Sequence, residues 1–311
     1  MSSAAVDTTT RRRHDTLAAY GAARCAALGF PLTQLEQSAE QRAAAALSCY
    51  LGVGQAAAAY YARRCILFHR DRVLHEALVL DLPAHRIPDI LSSVKAVGAD
   101  QLATLDPNRG IVLVSLHYGL YSSMLIWWLA QATASNLFKK LTVLMRSNPT
   151  GQYVVSARRL EDFEAAGVWS RRVTLADRTA VGPTGTARAL LGRLGPGGAV
   201  LMFPDAELRP AEEQTQTVTI GRHDLGLPRG AAWLAEMRQC AVVPVYIRPH
   251  GASAHAVLFG PAMPPASPGD AAARVNASVQ YLMDQTVMLD PSPWEGWHRE
   301  GLGGLLSIQA E

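Results

Sequence analysis

A run of branched apolar residues that leads directly into a histidine constrains the fold of this chain more than any other feature. Gly110 opens the run, residues 111–115 read Ile-Val-Leu-Val-Ser, and His117 follows. A short apolar run without polar alternation predicts a strand that is buried on both faces. Residues 123–131 have the composition of a helix, so we expect His117 between strand and helix, at the edge where open α/β sheets place their chemistry. A lone histidine is more often a satisfied core residue, so this interpretation depends on the motifs described below.

After Pro107, short apolar runs alternate with helical segments. The runs are residues 111–115, 141–145, 199–203, 218–220, 242–247 and 254–259. Between them, residues 184–194 carry apolar side chains at helical spacing and are followed by Gly195. This alternation predicts an α/β fold with a mixed, largely parallel central sheet that is covered by helices. A last helix is expected over residues 270–289.

The N-terminal part of the chain differs from the remainder in composition. Residues 1–14 are polar, rich in Thr, Ser and Arg, and are expected to be disordered. Residues 15–98 are alanine-rich and helical in period, with Ser38 as a candidate N-cap. Further helices are expected over residues 56–68, 75–80 and 89–97. We therefore expect a single domain over residues 15–311, in which a helical layer, residues 15–98, covers an α/β core, residues 99–311.

One stretch of the helical layer has the length of a membrane span. Residues 43–62 are twenty residues without a charge, enough to cross a bilayer. The stretch is rich in alanine, and Gly52-Val53-Gly54 interrupts it, which favours two packed helices over one spanning helix. The N-terminal arginines are not followed by the apolar core of a signal peptide. With four cysteines and no C-x-x-C spacing, the chain is predicted to be cytoplasmic.

Charge and motif content exclude several classes of function. A net charge of +3 and a pI near 8.7 fall short of the concentrated positive charge of a nucleic-acid-binding protein. The histidines and cysteines lack the spacing of a metal site. Neither a phosphate-binding glycine loop nor a G-x-S-x-G element occurs. We therefore expect no nucleic-acid partner, no metal and no bound cofactor.

Four short motifs follow one another at the ends of predicted strands or within them, and a fifth stands near the C-terminus. They are His117-Tyr118-Gly119, Arg146-Ser147-Asn148-Pro149, Phe203-Pro204-Asp205, Val243-Pro244-Val245 and Trp294-Glu295-Gly296-Trp297-His298-Arg299. This order resembles the lysophospholipid acyltransferase superfamily. Within it, the bacterial lipid A late acyltransferases, the lauroyl and myristoyl transferases, are the more similar branch. The resemblance extends from about residue 85 to residue 300.

The resemblance implies a reaction in which His117 takes the proton of an acceptor hydroxyl or amine while that group attacks an acyl thioester. The thioester is carried by phosphopantetheine on an acyl carrier protein or by coenzyme A. In the family, an acidic residue five positions after the histidine orients the ring, but this chain has Ser122 there. A serine can accept a hydrogen bond from the ring, yet it supplies no charge to stabilise the imidazolium. The departure at Ser122 therefore bears directly on the mechanism.

Two carboxylates near a later strand end offer a replacement for the missing acid. Asp205 and Glu207 directly follow the run of residues 199–203 and its proline. Either side chain could orient His117 from a neighbouring strand. The alternative is that they form structural ion pairs with Arg209 or Arg229.

The resemblance also implies residues that contact the substrates. Arg146 and Asn148 would hold an anionic group such as a phosphate or carboxylate. The guanidinium of Arg146 can bond two oxygens of such a group at once. A surface ion pair is the alternative role for Arg146. Tyr118 and Gly119 would line the site beside the histidine.

We therefore expect an acyltransferase that moves an acyl or aminoacyl group from a carrier-protein or coenzyme A thioester to a small amine or hydroxyl acceptor in a biosynthetic pathway. One alternative is a lipid acyltransferase of the lipid A type, bound peripherally to the inner membrane. Another is a non-catalytic descendant that binds an acyl carrier or a lipid. Residues 60–72 mix aromatic side chains with arginines, which is typical of a docking face for an acidic partner or of a solvated helix face over a core stripe.

Overall fold

The computed structural model of the chain describes residue 29 and residues 31–145, 162–167, 169–170, 172–210, 216–250 and 254–297. Its α-helices are α1 (Gln34–Leu51), α2 (Gln55–Asp81), α3 (Ile87–Leu91), α4 (Ile126–Ala134), α5 (Arg178–Arg193), α6 (Gly230–Arg238) and α7 (Ala271–Gln285). Its strands are β1 (Lys95–Val97), β2 (Ile111–Val114), β3 (Lys140–Met145), β4 (Val173–Asp177), β5 (Gly198–Met202), β6 (Arg209–Pro210), β7 (Thr217–Ile220), β8 (His223–Gly226), β9 (Ala241–His250) and β10 (Ala254–Phe259). The disorder predicted for residues 1–14 lies outside the described residues.

The strands form a seven-stranded sheet in the order β1-β10-β9-β2-β5-β3-β4 and a small sheet in the order β6-β8-β7. Strands β9, β2, β5, β3 and β4 run parallel to one another, while β10 is antiparallel to β9. The predicted α/β fold, with a mixed and largely parallel sheet covered by helices, is confirmed. Each of the apolar runs predicted as strands is a strand of one of these sheets.

Both faces of the large sheet are covered, as the apolar run of β2 predicts. Val112 and Val114 contact one core, which contains residues of α1, α2, α6 and α7. Leu113, between them, contacts the second core, which contains residues of α3 and α4. The alternation is that of a pleated strand with helices on both sides.

The helix expected after Ser38 begins earlier than predicted. Ser38 is wrong as the N-cap, because α1 starts after Thr33, whose side chain accepts the N–H of Glu36 while the Glu36 carboxylate accepts the N–H of Thr33. Gly52 ends α1 with a φ of +65°, a left-handed conformation that favours glycine. Residues 43–62 are therefore divided between two helices. No helix among the described residues is long and apolar enough to cross a membrane.

Two helix predictions in this layer need correction. The helices expected over residues 56–68 and 75–80 are one continuous helix, α2. The helix expected over residues 89–97 ends at Leu91, because the hydroxyls of Ser92 and Ser93 bond back to the carbonyls of Asp89 and Ile90. The chain then pairs with β10 as strand β1.

Candidate active site

The loops after β2 and β5 bring His117 and Asp205 together. The two strands are parallel neighbours, and Val114 lies opposite Met202. The N–H of Ser115 donates to the carbonyl of Met202 at 2.9 Å, which extends the pairing by one residue. His117 and Asp205 each follow their strand by the same number of residues. Because the carboxyl ends of parallel strands meet at one edge of a sheet, the two side chains meet there.

His117 and the carboxylate of Asp205 make two hydrogen bonds, one through the imidazole and one through the backbone. Nδ1 of His117 lies 2.8 Å from Oδ1 of Asp205, and the backbone N–H of His117 donates to Oδ2 at 2.8 Å. The side chain of Asp205 is 1% exposed and that of His117 is 12% exposed. Since a carboxylate only accepts, Nδ1 carries the proton and Nε2 keeps its lone pair in the neutral ring. The pair has the geometry of an oriented general base.

The C-terminal motif supplies a third donor to the same carboxylate. The indole Nε1 of Trp294, a fully buried residue, donates to Oδ2 of Asp205 at 2.8 Å. The backbone also joins the two segments, because the N–H of Gly119 donates to the carbonyl of Pro293 at 3.0 Å. Three N–H donors replace the hydration that the buried carboxylate loses. His298 and Arg299 of this motif lie outside the described residues.

Ser122, predicted to stand behind the histidine, contacts a different residue. It lies in a π-helical turn, Tyr121–Leu125, that precedes α4, and its hydroxyl donates to the carboxylate of Glu76 on α2. Burial raises the pKa of Glu76, although Arg72 and the Ser122 hydroxyl act in the opposite direction. Asp205, one of the two predicted replacements for the missing acid, is in contact with the ring.

The other predicted site residues differ in how much the structure describes. Tyr118 is buried, and its hydroxyl donates to the carbonyl of Asp290 at 3.2 Å. Burial, followed by the charge of Asp290, raises the pKa of Tyr118. Gly119 has a φ of +66°, and an added Cβ would lie 3.1 Å from the carbonyl oxygen of Ile247, so the turn after the histidine requires glycine. Glu207 lies in the turn Pro204–Glu207, with its side chain outside the described part.

Arg146 and Asn148 fall in the gap after β3, outside the described residues. Their predicted role in holding an anionic group therefore stays a prediction. Among the residues that the structure does describe, no group of three or more His, Cys, Asp or Glu side chains is placed to hold a metal ion.

Two aromatic rings pack against the histidine, and only one of them belongs to a sequence motif. The ring centroid of His117 lies 4.7 Å from that of Tyr121 and 4.8 Å from that of Phe203. Tyr121 and Phe203 are 5.3 Å apart. Phe203 belongs to the Phe203-Pro204-Asp205 motif, whereas Tyr121 lies in none of the five motifs. Its only signal in the sequence is a position four residues after His117, at the start of the helix.

The arginines of α2 are engaged within the molecule. Arg63 pairs with Glu40 at 3.4 Å, Arg64 with Asp290 at 3.0 Å and Arg70 with Glu36 at 2.5 Å. Arg72 is 2% exposed and pairs with Glu76 at 2.8 Å and with Glu295. Arg72 is buried, so any docking face over residues 60–72 would have to use the other arginines.

The pair of His117 and Asp205 can accept a proton at Nε2 and stabilise the imidazolium that results. Neither the models of known protein families nor the curated proteins match this chain.

Proposed function

We propose that this chain is an acyltransferase in which His117, oriented by Asp205, acts as the general base toward an acceptor hydroxyl or amine. The donor is an acyl or aminoacyl thioester on a carrier protein or on coenzyme A, and the acceptor is a small molecule of a cytoplasmic biosynthetic pathway. The hydrogen bond of 2.8 Å between His117 Nδ1 and the buried Asp205 carboxylate is the observation that supports a base at this position. The order of the sequence motifs supports the thioester donor.

The proposed step conserves atoms and charge. Nε2 of His117 takes the acceptor proton as the acceptor oxygen or nitrogen bonds to the thioester carbonyl carbon. The tetrahedral intermediate then breaks its C–S bond, and the departing sulfur receives the proton from the imidazolium. The products are an ester or amide and a free thiol. Asp205 holds the ring in the productive tautomer and offsets its transient charge.

The carboxylate of Asp205 widens the range of acceptors that the site can use. If Ser122 were the only partner of the imidazole, the conjugate acid of His117 would be poorly stabilised. The site would then favour amine acceptors, which need little deprotonation. An orienting carboxylate is worth about 10⁴ in kcat in serine proteases of the Ser-His-Asp type, where it stabilises the imidazolium. We therefore include hydroxyl acceptors in the proposal.

The test is a transfer assay with mass spectrometry as the readout. It combines the purified protein with loaded carrier proteins or acyl-coenzyme A and with a panel of amines and alcohols. We expect His117→Ala to abolish transfer and Asp205→Asn to lower kcat/KM about 10²–10⁴-fold. Ser122→Ala, whose hydroxyl bonds Glu76 and not the imidazole, is the control and should change kcat/KM by less than about 3-fold.

Full activity in folded His117→Ala would contradict the mechanism. Binding of acyl carriers without transfer to any acceptor would favour the non-catalytic alternative. Transfer only to lipid acceptors in membranes would favour the peripheral lipid acyltransferase.

A further inference from the structure

Tyr121, which packs against the imidazole of His117, is held at both its hydroxyl and its ring. The hydroxyl donates to the two carboxylate oxygens of Glu295, at 3.3 and 3.4 Å. The guanidinium carbon of Arg72 lies over the ring, 5.4 Å from its centroid. Arg72 also pairs with Glu295, so a cation on α2 and a carboxylate near the C-terminus hold the same tyrosine.

The segment that contains Glu295 also holds the base and its partner. The backbone N–H of Glu295 donates to the carbonyl of His117 at 3.0 Å. The preceding residue, Trp294, donates its indole N–H to Asp205. Two consecutive residues therefore contact the two members of the proposed catalytic pair.

The ion pair of Arg72 and Glu295 is deeply buried. Their side chains are 2% and 7% exposed. Removing each charge from water is costly, and well-packed apolar residues are often as stable as a buried ion pair. A buried and mutually bonded network does restrict its members to one geometry. That geometry includes the ring that contacts His117.

We infer, on the basis of the proposed function, that Tyr121 and Glu295 are positioning residues for the His117 base and that Arg72 holds both of them. Asp205 fixes one ring nitrogen, and Tyr121 and Phe203 limit rotation of the ring about that bond. Displacement of a base by about 1 Å can cost on the order of 10²-fold in rate. Loss of the anchor should therefore lower kcat and leave KM nearly unchanged.

The test compares Glu295→Ala and Tyr121→Phe, which remove one partner of the hydroxyl bond, with Glu295→Gln, which keeps an acceptor for it. Transfer kinetics give kcat and KM separately. In protein labelled with ¹⁵N-histidine, NMR reports the ring nitrogens of His117, whose signals are identified by their absence in His117→Ala. We expect Glu295→Ala and Tyr121→Phe to lower kcat about 10–100-fold, with KM within about 2-fold. The ring signals of His117 should shift and broaden, because the ring loses its fixed orientation while Asp205 still selects the Nδ1–H tautomer. Glu295→Gln should restore most of kcat and the wild-type ring signals.

Wild-type kcat and unchanged His117 ring signals in folded Tyr121→Phe and Glu295→Ala would overturn the inference while the acyltransferase proposal stands. A wild-type protein without transfer activity would instead overturn the proposed function, and the His117 ring signals alone would then decide the positioning roles. If Glu295→Ala does not fold, Tyr121→Phe, which keeps the ring and the buried ion pair, gives the same decision.

Discussion

The carboxylate of Asp205 illustrates how single residues determine this site. It accepts the imidazole and backbone N–H groups of His117 and the indole N–H of Trp294. A buried acceptor that loses one donor keeps its desolvation cost without the compensating bond. The residues around Asp205 should therefore affect both the stability and the orientation of the base.

Trp294→Phe tests this dependence, because it removes the indole donor and keeps an aromatic ring. We expect the free energy of unfolding to fall by about 1–3 kcal/mol and kcat to fall on the order of 10-fold. Trp297→Phe is the matched control, since its indole donates to the carbonyl of Pro291 at 2.8 Å and not to Asp205. The control should lose stability but keep kcat. Equal kcat in the two variants would contradict a role for Trp294 in orienting the carboxylate.

Glu76 provides a prediction about pH at the same scale. Its pKa is raised above the ordinary value of 4.5, mainly by burial, so the folded state holds the proton more tightly than the unfolded state. Its contribution to stability is therefore complete below pH 4.5 and is lost as the pH rises through the folded-state pKa. Glu76→Gln should reduce the pH dependence of the free energy of unfolding between pH 4.5 and the folded-state pKa. Denaturant titrations at several pH values measure this dependence. A slope equal to that of wild type would contradict the prediction.

At the scale of elements, α1 and α2 are joined by polar contacts at the start of α1. Glu36 completes the capping box with Thr33 and pairs with Arg70 of α2. These contacts hold the pKa of Glu36 at about 2, with the Arg70 bond as the largest cause. Its contribution is present above its ordinary pKa of 4.5 and is lost as the pH falls toward 2. The contribution of Glu36 to the free energy of unfolding therefore rises with pH, whereas that of Glu76 falls.

Glu36→Ala should lower the free energy of unfolding by about 1 kcal/mol at neutral pH, because it removes half of the capping box and an ion pair. The loss should diminish as the pH falls below 4.5. Glu40→Ala, in the same helix, removes an ion pair with Arg63 at 3.4 Å and no cap. This control should lose less than about 0.5 kcal/mol. Similar losses in both variants at neutral pH would argue against the cap.

At the scale of the whole molecule, a buried histidine in the helical layer makes the free energy of unfolding depend on acid pH. His75 of α2 is 6% exposed. Burial, followed by the charge of His255 on β10, lowers the pKa of His75 to about 3. The unfolded chain takes up this proton below its ordinary pKa of 6.5, so the free energy of unfolding falls as the pH drops from 6.5 toward 3.

His75→Gln should therefore reduce the loss of stability between pH 6.5 and pH 3, each value being taken relative to the same variant above pH 7. Acid titrations followed by circular dichroism measure this change. His85, an exposed histidine, is the control, and His85→Gln should reproduce the wild-type curve. An unchanged acid transition in His75→Gln would place the sensitive group elsewhere.

Local sequence patterns determined much of the framework of this protein. The apolar run at residues 111–115 predicts β2 and places His117 at its carboxyl end, because burial on both faces is encoded in consecutive residues. Gly52 predicts the break between α1 and α2, since few other residues adopt a left-handed conformation without strain. Asp205 was one of two candidates for the missing acid, and its choice required the register of β2 and β5.

The tertiary structure alone decided which distant side chains complete the site. Arg72 and Glu295 belong to no motif that contains His117. Arg72 pairs with Glu295, and the N–H of Glu295 donates to the carbonyl of His117, because the fold brings α2 and the C-terminal motif together. Strand β1 likewise has no apolar period of its own and depends on β10 as a partner. Hydrophobic period and turn residues act within a few positions of the chain, so they determine elements. Contacts between remote elements depend on packing and strand register, which no single stretch of sequence contains.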